Sequence, residues 1–209
     1  MIIAVDGPTA SGKGTIARAL AAHFGLPHLD TGLLYRAVGY QVGLDGGNPD
    51  EAADALAACA FPDALLENSE LRSEATGGLA SRVSIHPAVR QALYERQRQF
   101  ALQPGGAVLD GRDIGTVIAP EAEVKLFVTA SVEARAERRF REMQAQGRAA
   151  TLAEIAEDLR RRDERDRTRA TAPLVAALDA VQLDTSSLSP DQAVAEAIRI
   201  VEQKPNHHA

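Results

Sequence analysis

The sequence lacks most of the features that mark membrane-bound and disulfide-bonded proteins. Cys59 is the single cysteine, so it cannot form an internal disulfide and has no CxxC partner for zinc or redox chemistry. We expect it to be a buried, small hydrophobic residue. No apolar run reaches the length of about 18 residues that a membrane-spanning helix needs, and Met1 to Val5 are not preceded by the basic region of a signal peptide. These absences predict a soluble protein of the reducing cytoplasm.

An excess of basic residues is also missing. Acidic residues outnumber basic ones by 29 to 23, and the formal net charge is -6. Non-specific binding of nucleic acid or anionic membranes needs a broad basic surface, so the balance predicts neither partner. The basic residues are nevertheless clustered, since 11 of them lie between Arg135 and Arg169 against 8 acidic residues. Codon preference on solvated helices would explain this cluster without any function. Whether the cluster has a function therefore has to be judged from the sequence motifs.

Apolar runs and helix signals alternate along the chain. Short β-prone runs predict strands at residues 1–5, 107–110, 124–129 and 181–184. Helices are predicted at residues 13–23, 31–42 with Thr31 as cap, from 48 onwards, on both sides of His86-Pro87, at 131–146, at 151–169 and from Pro190 onwards. Residues 61–78 are less regular, and the end of the chain from Lys204 is expected to fray. This order predicts an α/β fold with an insertion.

The strongest chemical signal lies between the first predicted strand and the first predicted helix. It comprises Gly7, Pro8, Thr9, Ala10, Ser11, Gly12, Lys13, Gly14 and Thr15, and its first seven residues fit the pattern GxxxxGK. The glycines allow a nest of backbone N–H donors, and the helix adds its N-terminal dipole, so the segment predicts a phosphate-binding loop, or P-loop. Lys13 would bring its charge to the β- and γ-phosphates of a nucleotide. Gly14 follows it, so the hydroxyl available to Mg²⁺ is that of Thr15.

A carboxylate follows a second predicted strand. Val108-Leu109-Asp110-Gly111 delivers Asp110 to the carboxyl end of a strand, where doubly wound sheets bind their ligands. Asp110 is therefore a candidate to hold Mg²⁺ through a water molecule. The alternative is that Asp110 is only the turn residue before Gly111.

Four motifs together resemble bacterial cytidylate kinases, which belong to the nucleoside monophosphate (NMP) kinases. They occur in that family's order over nearly the whole chain: Gly7–Thr15, Leu29-Asp30-Thr31-Gly32 with Tyr35-Arg36, Asp110–Val117, and Arg162–Arg167 with Arg169. The GKGT ending of the P-loop is similar to that of NMP kinases in general. The GRDxGTV and RDxRDRxR motifs are the specific ones.

The resemblance implies a three-layer P-loop NTPase fold with a parallel sheet and an inserted, largely helical NMP-binding domain. The core would comprise residues 1–33 and 104–209, with a short lid near 146–151, and the insertion residues 34–103. The implied reaction moves the γ-phosphoryl group of MgATP to CMP or dCMP. A monomer is expected, because the sequence shows no obvious oligomerisation signal. The acceptor phosphate is already an anion, so no general base is needed, and no His–Asp pair is recognisable from spacing. Residues 56–78 depart from the family by lacking its usual β-rich insert.

The resemblance also assigns roles to the arginines, whose planar groups bind phosphate oxygens and stay charged. The implied catalytic residues are Lys13, Arg112, Arg162 and Arg169. The implied substrate-binding residues are Arg36, Arg112 and Arg169 at the acceptor phosphate, Arg162 and Asp166 at the pentose, Ser81, Arg90 and Asp113 at the cytosine, and Thr31 and Tyr35 beside them. A carboxylate at Asp113 can accept from the cytosine amino group, where uracil has a carbonyl oxygen. Residues 184–188 are expected at the adenine.

Alternatives remain open at this point. A kinase that phosphorylates another small acceptor, such as UMP, AMP or shikimate, would have the same kind of P-loop. A nucleotide-binding regulatory protein is a further possibility, although no guanine-reading NKxD motif occurs in the chain. A nucleic-acid binder would use the arginine-rich helix, in which Arg161, Arg165 and Arg167 are equally well explained as solvated partners of neighbouring acids.

Overall fold

A five-stranded parallel sheet forms the centre of the protein. The structure is a computed structural model, and it describes residues 1–204. The strands are β1 (Ile2–Asp6), β2 (His28–Asp30), β3 (Ala107–Gly111), β4 (Val124–Thr129) and β5 (Val181–Asp184), in the order β2-β3-β1-β4-β5. The predicted α/β class with a parallel sheet is confirmed. The expectation of a frayed end concerns mainly residues 205–209, which lie outside the described residues.

Eight helices surround the sheet within residues 1–204. They are α1 (Lys13–Phe24), α2 (Thr31–Leu44), α3 (Ala52–Ala57), α4 (Glu74–Val83), α5 (Pro87–Ala101), α6 (Val132–Ala145), α7 (Leu152–Thr168) and α8 (Pro190–Glu202). Short 3₁₀ turns occupy Ala58–Ala60, Asp63–Glu67 and Ser69–Arg72, and a π-helical turn occupies Ile114–Ile118. No helix among these residues is both long and apolar enough to cross a bilayer.

Both faces of the sheet are covered, which makes three layers. β1 is buried along its whole length, as its apolar sequence requires in a strand covered on both sides. On one face, Ile16 and Leu20 of α1 and Ala197 of α8 pack against the strands. On the other face, Ala101 of α5 and the π-helical turn pack against the remaining side chains of β1 and β3.

The region between β2 and β3 is helical and has its own apolar cluster. Leu34, Val38 and Val42 of α2 pack there with residues of the 3₁₀ turns, α4 and α5. Cys59 lies half-buried at this cluster and donates its thiol to the carbonyl of Ala55 at 3.4 Å. Burial raises the pKa of the Cys59 thiol to about 11, which keeps it protonated and unreactive.

Several local predictions need correction. β2 was not predicted as a strand, because its three residues are too few to give a periodic signal. Thr31 does not cap α2: Asp30 does, by accepting from the N–H of Leu33 at 3.2 Å. Thr31 instead donates its hydroxyl to the carbonyl of Asp110 at 2.9 Å, which ties α2 to β3.

The third helix also begins later than predicted. Asn48 accepts from the N–H of Asp50 at 3.1 Å and so forms a local turn, and α3 starts only at Ala52. In contrast, the capping box predicted at Thr151 is present with Glu154, and so is the cap at Ser189 with Gln192.

The crossing of α2 and α4 provides a test of this packing. A Cβ atom at Gly39 would lie 2.7 Å from the Cβ of Leu79 and 2.9 Å from its backbone carbon, so the helices would have to separate. We expect Gly39→Ala to lower the free energy of unfolding by about 2 kcal/mol, as overpacking does. Gly43→Ala, on the same helix with no atom within 4 Å of the added methyl, should raise it by up to about 1 kcal/mol. Urea denaturation measures both, and equal stability of the two variants would contradict the crossing.

Candidate active site

The P-loop lies at the carboxyl edge of the sheet, where β1 ends. Gly7 leaves no room for a side chain, since a Cβ atom there would lie 2.1 Å from the carbonyl oxygen of Val128. Gly12 begins the turn into α1 with φ 89°, a conformation that favours glycine. Lys13 then starts the helix and donates its ammonium to the carbonyl of Pro8 at 3.3 Å. The predicted strand, loop and helix are therefore contiguous, as a phosphate site requires.

The P-loop is also attached to the two arginine-rich helices α6 and α7. Ala10 adopts φ 62° although it is not glycine, and its methyl group packs against the apolar cluster between α6 and α7. Arg135, which is buried, donates to the carbonyl of Thr9 at 3.1 Å and forms a bidentate ion pair with Asp163 of α7. This attachment could not be predicted, because Arg135 lies outside every motif.

Two adjoining cavities open from the P-loop. The cavity on the side of α1 and α8 has a volume of about 440 Å³, and the tighter one beside α4 and α5 about 80 Å³. Six residues line both: Thr9, Gly32, Arg36, Gly111, Arg112 and Arg162. A group placed between the cavities would therefore meet three arginines.

The larger cavity contains the predicted nucleotide-binding elements. All residues from Thr9 to Thr15 line it, and so do Thr185 and Leu188 of the segment expected at the adenine. Arg138 of α6 lines it too and donates to the hydroxyl of Thr185 at 3.1 Å. Gly7 and Pro8 lie just outside its lining. Arg138 was not predicted, since one arginine in a charged helix carries no distinguishing signal.

Asp110 lies buried at the end of β3 and faces both the P-loop and a histidine. Its Oδ2 atom is 3.7 Å from the position of a Cβ at Gly14, and its Oδ1 atom lies 2.7 Å from Nε2 of His28. Spacing in the sequence did not make this His–Asp pair recognisable, and the structure reveals it. His28 sits in β2, and parallel pairing of β2 with β3 brings its ring to Asp110. The ring lines a separate cavity with Arg18 and Leu33, away from the predicted acceptor site.

The smaller cavity brings together the residues predicted to bind the acceptor. It is lined by Thr31, Tyr35, Arg36, Ser81, Arg90, Arg112, Asp113, Arg162, Asp166 and Arg169, together with Thr9 of the P-loop. Asp113 is buried and forms an ion pair with Arg90, which also lies 5.5 Å from the centre of the Tyr35 ring. Burial, followed by the nearby Arg90 charge, lowers the pKa of Arg169 below its ordinary value.

Arg112 stands between the two cavities. Its Nε donates to Asp166 at 2.8 Å, and its Nη2 donates to the hydroxyl of Thr9 at 2.6 Å. Burial alone would lower the pKa of this guanidinium, but the carboxylates of Asp166, Asp110 and Asp30 together outweigh burial, and the pKa of Arg112 lies above its ordinary value. The motif-based prediction thus placed Arg112 where both bound anions would contact it.

Glu74 is a site residue that the sequence did not reveal. It begins α4, and its carboxylate forms ion pairs with Arg162 of α7, at 2.7 Å, and with Arg139 of α6. Arg36 of α2 reaches the segment just before α4 and donates to the carbonyl oxygens of Leu71 and Ser73 at 2.7 and 2.8 Å. Burial and the neighbouring Arg162 lower the pKa of Arg36 to about 10. Glu74 therefore balances part of a crowded positive charge.

A buried carboxylate connects the P-loop to the turn that carries Arg112 and Asp113. Asp6, the last residue of β1, accepts from the backbone N–H groups of Ile114 and Gly115, each at 2.8 Å. Burial raises the pKa of Asp6 to about 7, although these two donors act in the opposite direction. This contact sets the π-helical turn after β3, and the only hint in the sequence is that Asp6 directly precedes Gly7.

The structure distinguishes the environments of three arginines of α7, Arg161, Arg165 and Arg167. Arg167 is exposed and pairs with Glu164 at 3.4 Å, in agreement with a solvated helix residue. Arg161 is also exposed. Arg165 is half-buried and donates to the hydroxyl of Ser81 in α4 at 2.7 Å.

Comparison with known proteins gives a consistent result. A family model described as cytidylate kinase matches residues 3–203. A cytidylate kinase of Xanthobacter autotrophicus is 58% identical over 204 residues, which cover 98% of this chain and 98% of that protein. One of Azorhizobium caulinodans is 55% identical over 203 residues, with 97% and 98% covered. Among solved structures, an uncharacterized protein from Eubacterium ventriosum has a TM-score of 0.54 at 14% identity, over 97% of this chain and 99% of that one, which is a likeness of fold alone.

The charge of Lys13 provides a test of the P-loop. Burial, followed by the nearby Arg112 charge, lowers the pKa of Lys13 to about 8, so in the free protein the ammonium is mostly neutral above that pH. A bound triphosphate stabilises the charged form, and ATP binding at pH 9 should therefore take up close to one proton, with almost none at pH 7. Calorimetric titration in buffers of different ionisation enthalpy measures the uptake. Lys13→Arg should abolish it, and pH-independent uptake in the unsubstituted protein would contradict the shift.

Proposed function

The chain belongs to the cytidylate kinase family, and we infer that its two cavities bind ATP and CMP or dCMP for transfer of the γ-phosphoryl group, with ADP and CDP or dCDP as products. The observation that carries this assignment is the position of Asp113. Its carboxylate is buried in the smaller cavity, where it can accept from a cytosine amino group, and Arg112 beside it faces the P-loop. Arg36, Arg112 and Arg162, which line both cavities, thus lie between Asp113 and the P-loop.

We propose that ATP lies in the larger cavity with its phosphates on residues 7–15. The N–H groups of the loop and Lys13 would bind the β- and γ-phosphates, and Thr185 and Leu188 would contact the adenine. Asp110 and the Thr15 hydroxyl supply oxygen ligands, which suit Mg²⁺, and within residues 1–204 no cluster of three or more metal-binding side chains competes with them. Mg²⁺ bound there with the phosphates would neutralise part of their charge.

We propose that the acceptor lies in the smaller cavity. Ser81, Arg90 and Asp113 would contact the cytosine, Arg162 and Asp166 the pentose, and Arg36, Arg112 and Arg169 the phosphate, with Thr31 and Tyr35 beside them. The incoming oxygen already carries negative charge, so no residue has to remove a proton. The four residues proposed as catalytic, Lys13, Arg112, Arg162 and Arg169, supply positive charge to the transferring group and orient the two substrates.

The organisation of the chain remains a proposal as well. We assign residues 34–103 to an inserted NMP-binding domain, residues 1–33 and 104–209 to the core, and residues near 146–151 to a short lid. The helical region between β2 and β3, with its own apolar cluster, supports the insertion. Closure over both substrates would exclude water, which otherwise competes as the acceptor. A monomer in the cytoplasm, without a nucleic-acid or membrane partner, stays a prediction.

A comparison of acceptors tests the proposed function. We expect CMP and dCMP to be the best acceptors in a coupled assay of ADP release, ahead of UMP, AMP and shikimate at equal concentration. The reason is that the smaller cavity offers a carboxylate to the amino group of cytosine and a carbonyl oxygen would be repelled by it. A better rate with UMP, AMP or shikimate would contradict the assignment, and equal rates would show that the base is not read.

Substitution of Asp113 tests the reading of the base. We expect Asp113→Asn, which keeps the size of the side chain, to lower kcat/KM for CMP by about 10- to 100-fold, the range of one well-made base contact. The dissociation constant of MgATP should change less than about threefold, because Asp113 does not line the larger cavity. Steady-state kinetics and a nucleotide titration give the two values. A parallel loss of ATP binding would mean that Asp113 supports the whole site instead.

A further inference from the structure

Arg165 contacts the acceptor site only through another residue. Its Nη1 atom donates to Oγ of Ser81 at 2.7 Å, and this bond joins α7 to α4 across 84 residues of sequence. Ser81 lines the smaller cavity, whereas Arg165 is absent from its lining. The side-chain hydrogen bond that connects Arg165 to this lining goes to the serine hydroxyl.

The chemistry of the bond restricts that hydroxyl. A serine hydroxyl has one hydrogen to donate and two lone pairs, and an arginine can only donate. Arg165 therefore occupies a lone pair of Ser81 and excludes the orientation in which the hydroxyl hydrogen points at α7. In the described part of the chain, this is the one hydrogen bond that Oγ of Ser81 makes. The hydrogen is left free for a group in the cavity.

A hydroxyl held in this way distinguishes two pyrimidines. Next to the exocyclic amino group, cytosine has an unprotonated ring nitrogen that accepts a hydrogen bond. At the same position uracil has an N–H group, which is a donor and would face the hydrogen of Ser81. Asp113 favours the cytosine amino group on the same edge, so the two contacts reinforce each other.

We propose that Arg165 is a positioning residue for base selection, which fixes the Ser81 hydroxyl so that the acceptor site favours CMP over UMP. The inference rests on the proposed function, in which Ser81 contacts the base. Helix α7 would then contribute to binding the pentose and phosphate of the acceptor and also to the selection of its base. Arg162, Asp166 and Arg169 face the cavity directly, and Arg165, between them in sequence, acts through α4.

The test compares Arg165→Met with Arg167→Met on the same helix. Methionine keeps much of the length of the side chain and removes its donors. Loss of a hydrogen bond to a charged group predicts a fall of about tenfold in kcat/KM for CMP. We expect little change with UMP and in the KM of ATP, so the CMP-to-UMP ratio falls by about the same factor. Arg167, which is exposed and bonded to Glu164, should give an unchanged ratio.

A conservative variant separates positioning from folding. Arg165→Lys keeps a donor and should recover most of the CMP-to-UMP ratio, whereas a helix that merely lost stability would not select between pyrimidines. Melting temperatures identify any variant that unfolds. If Arg165→Met does so, Arg165→Leu, which also has no hydrogen-bond donor, replaces it with the same expected fall in the ratio. An unchanged ratio in a folded variant overturns the inference.

A double-mutant cycle with Ser81→Ala distinguishes this inference from the proposed function. We expect Ser81→Ala to lower the CMP-to-UMP ratio and Arg165→Met to add no further loss in the Ser81→Ala background. A further loss of similar size in that background would show that Arg165 acts by another route, and only the inference would fail. An unchanged ratio in Ser81→Ala would show that Ser81 does not read the base, which overturns its assignment under the proposed function and the inference with it.

Discussion

Repulsion between like charges is the constraint on which the arrangement of this cleft depends. Lys13, Arg36, Arg112 and Arg162 all line the larger cavity, so four basic side chains lie close together. Burial first, and a neighbouring arginine charge second, lower the pKa of Lys13 to about 8 and that of Arg36 to about 10. Carboxylates offset the repulsion: Asp166 pairs with Arg112, Asp113 with Arg90, and Glu74 with two arginines.

The same constraint explains why net charge is a poor guide to the ligand. A chain with a charge of -6 can still present a positive cleft, because acids elsewhere and acids inside the cleft enter the same sum. Glu74 and Asp166 count against the arginines in that sum, yet they hold those arginines in place. The negative total argues against polyanions, which need a broad basic surface, and has no bearing on small phosphates.

The parts of the structure that depend on a local sequence pattern could be predicted. Contacts between residues that lie far apart in the sequence could not, because they leave no local pattern. The P-loop, the capping box at Thr151 and strand β5 are contiguous, so their residues carry the whole signal. The resemblance to the family supplied the arginines and Asp113. Glu74, Arg135 and the bond from Arg165 to Ser81 were missed, because each depends on which helices the sheet brings together. β2 was missed since three residues have no period, and its absence also hid the pair of His28 with Asp110.

The P-loop and the turn that carries Arg112 and Asp113 are linked by hydrogen bonds within the protein. Asp6 ends the strand that leads into the P-loop, and its carboxylate holds the turn that presents Arg112 and Asp113. Both carboxylate oxygens are used in this contact, and Asp6 is buried. Arg135 holds Thr9 of the same loop from the opposite side and pairs with α7. The segment from Asp6 to Thr9 therefore contacts both the turn that carries Arg112 and Asp113 and, through Arg135, helix α7.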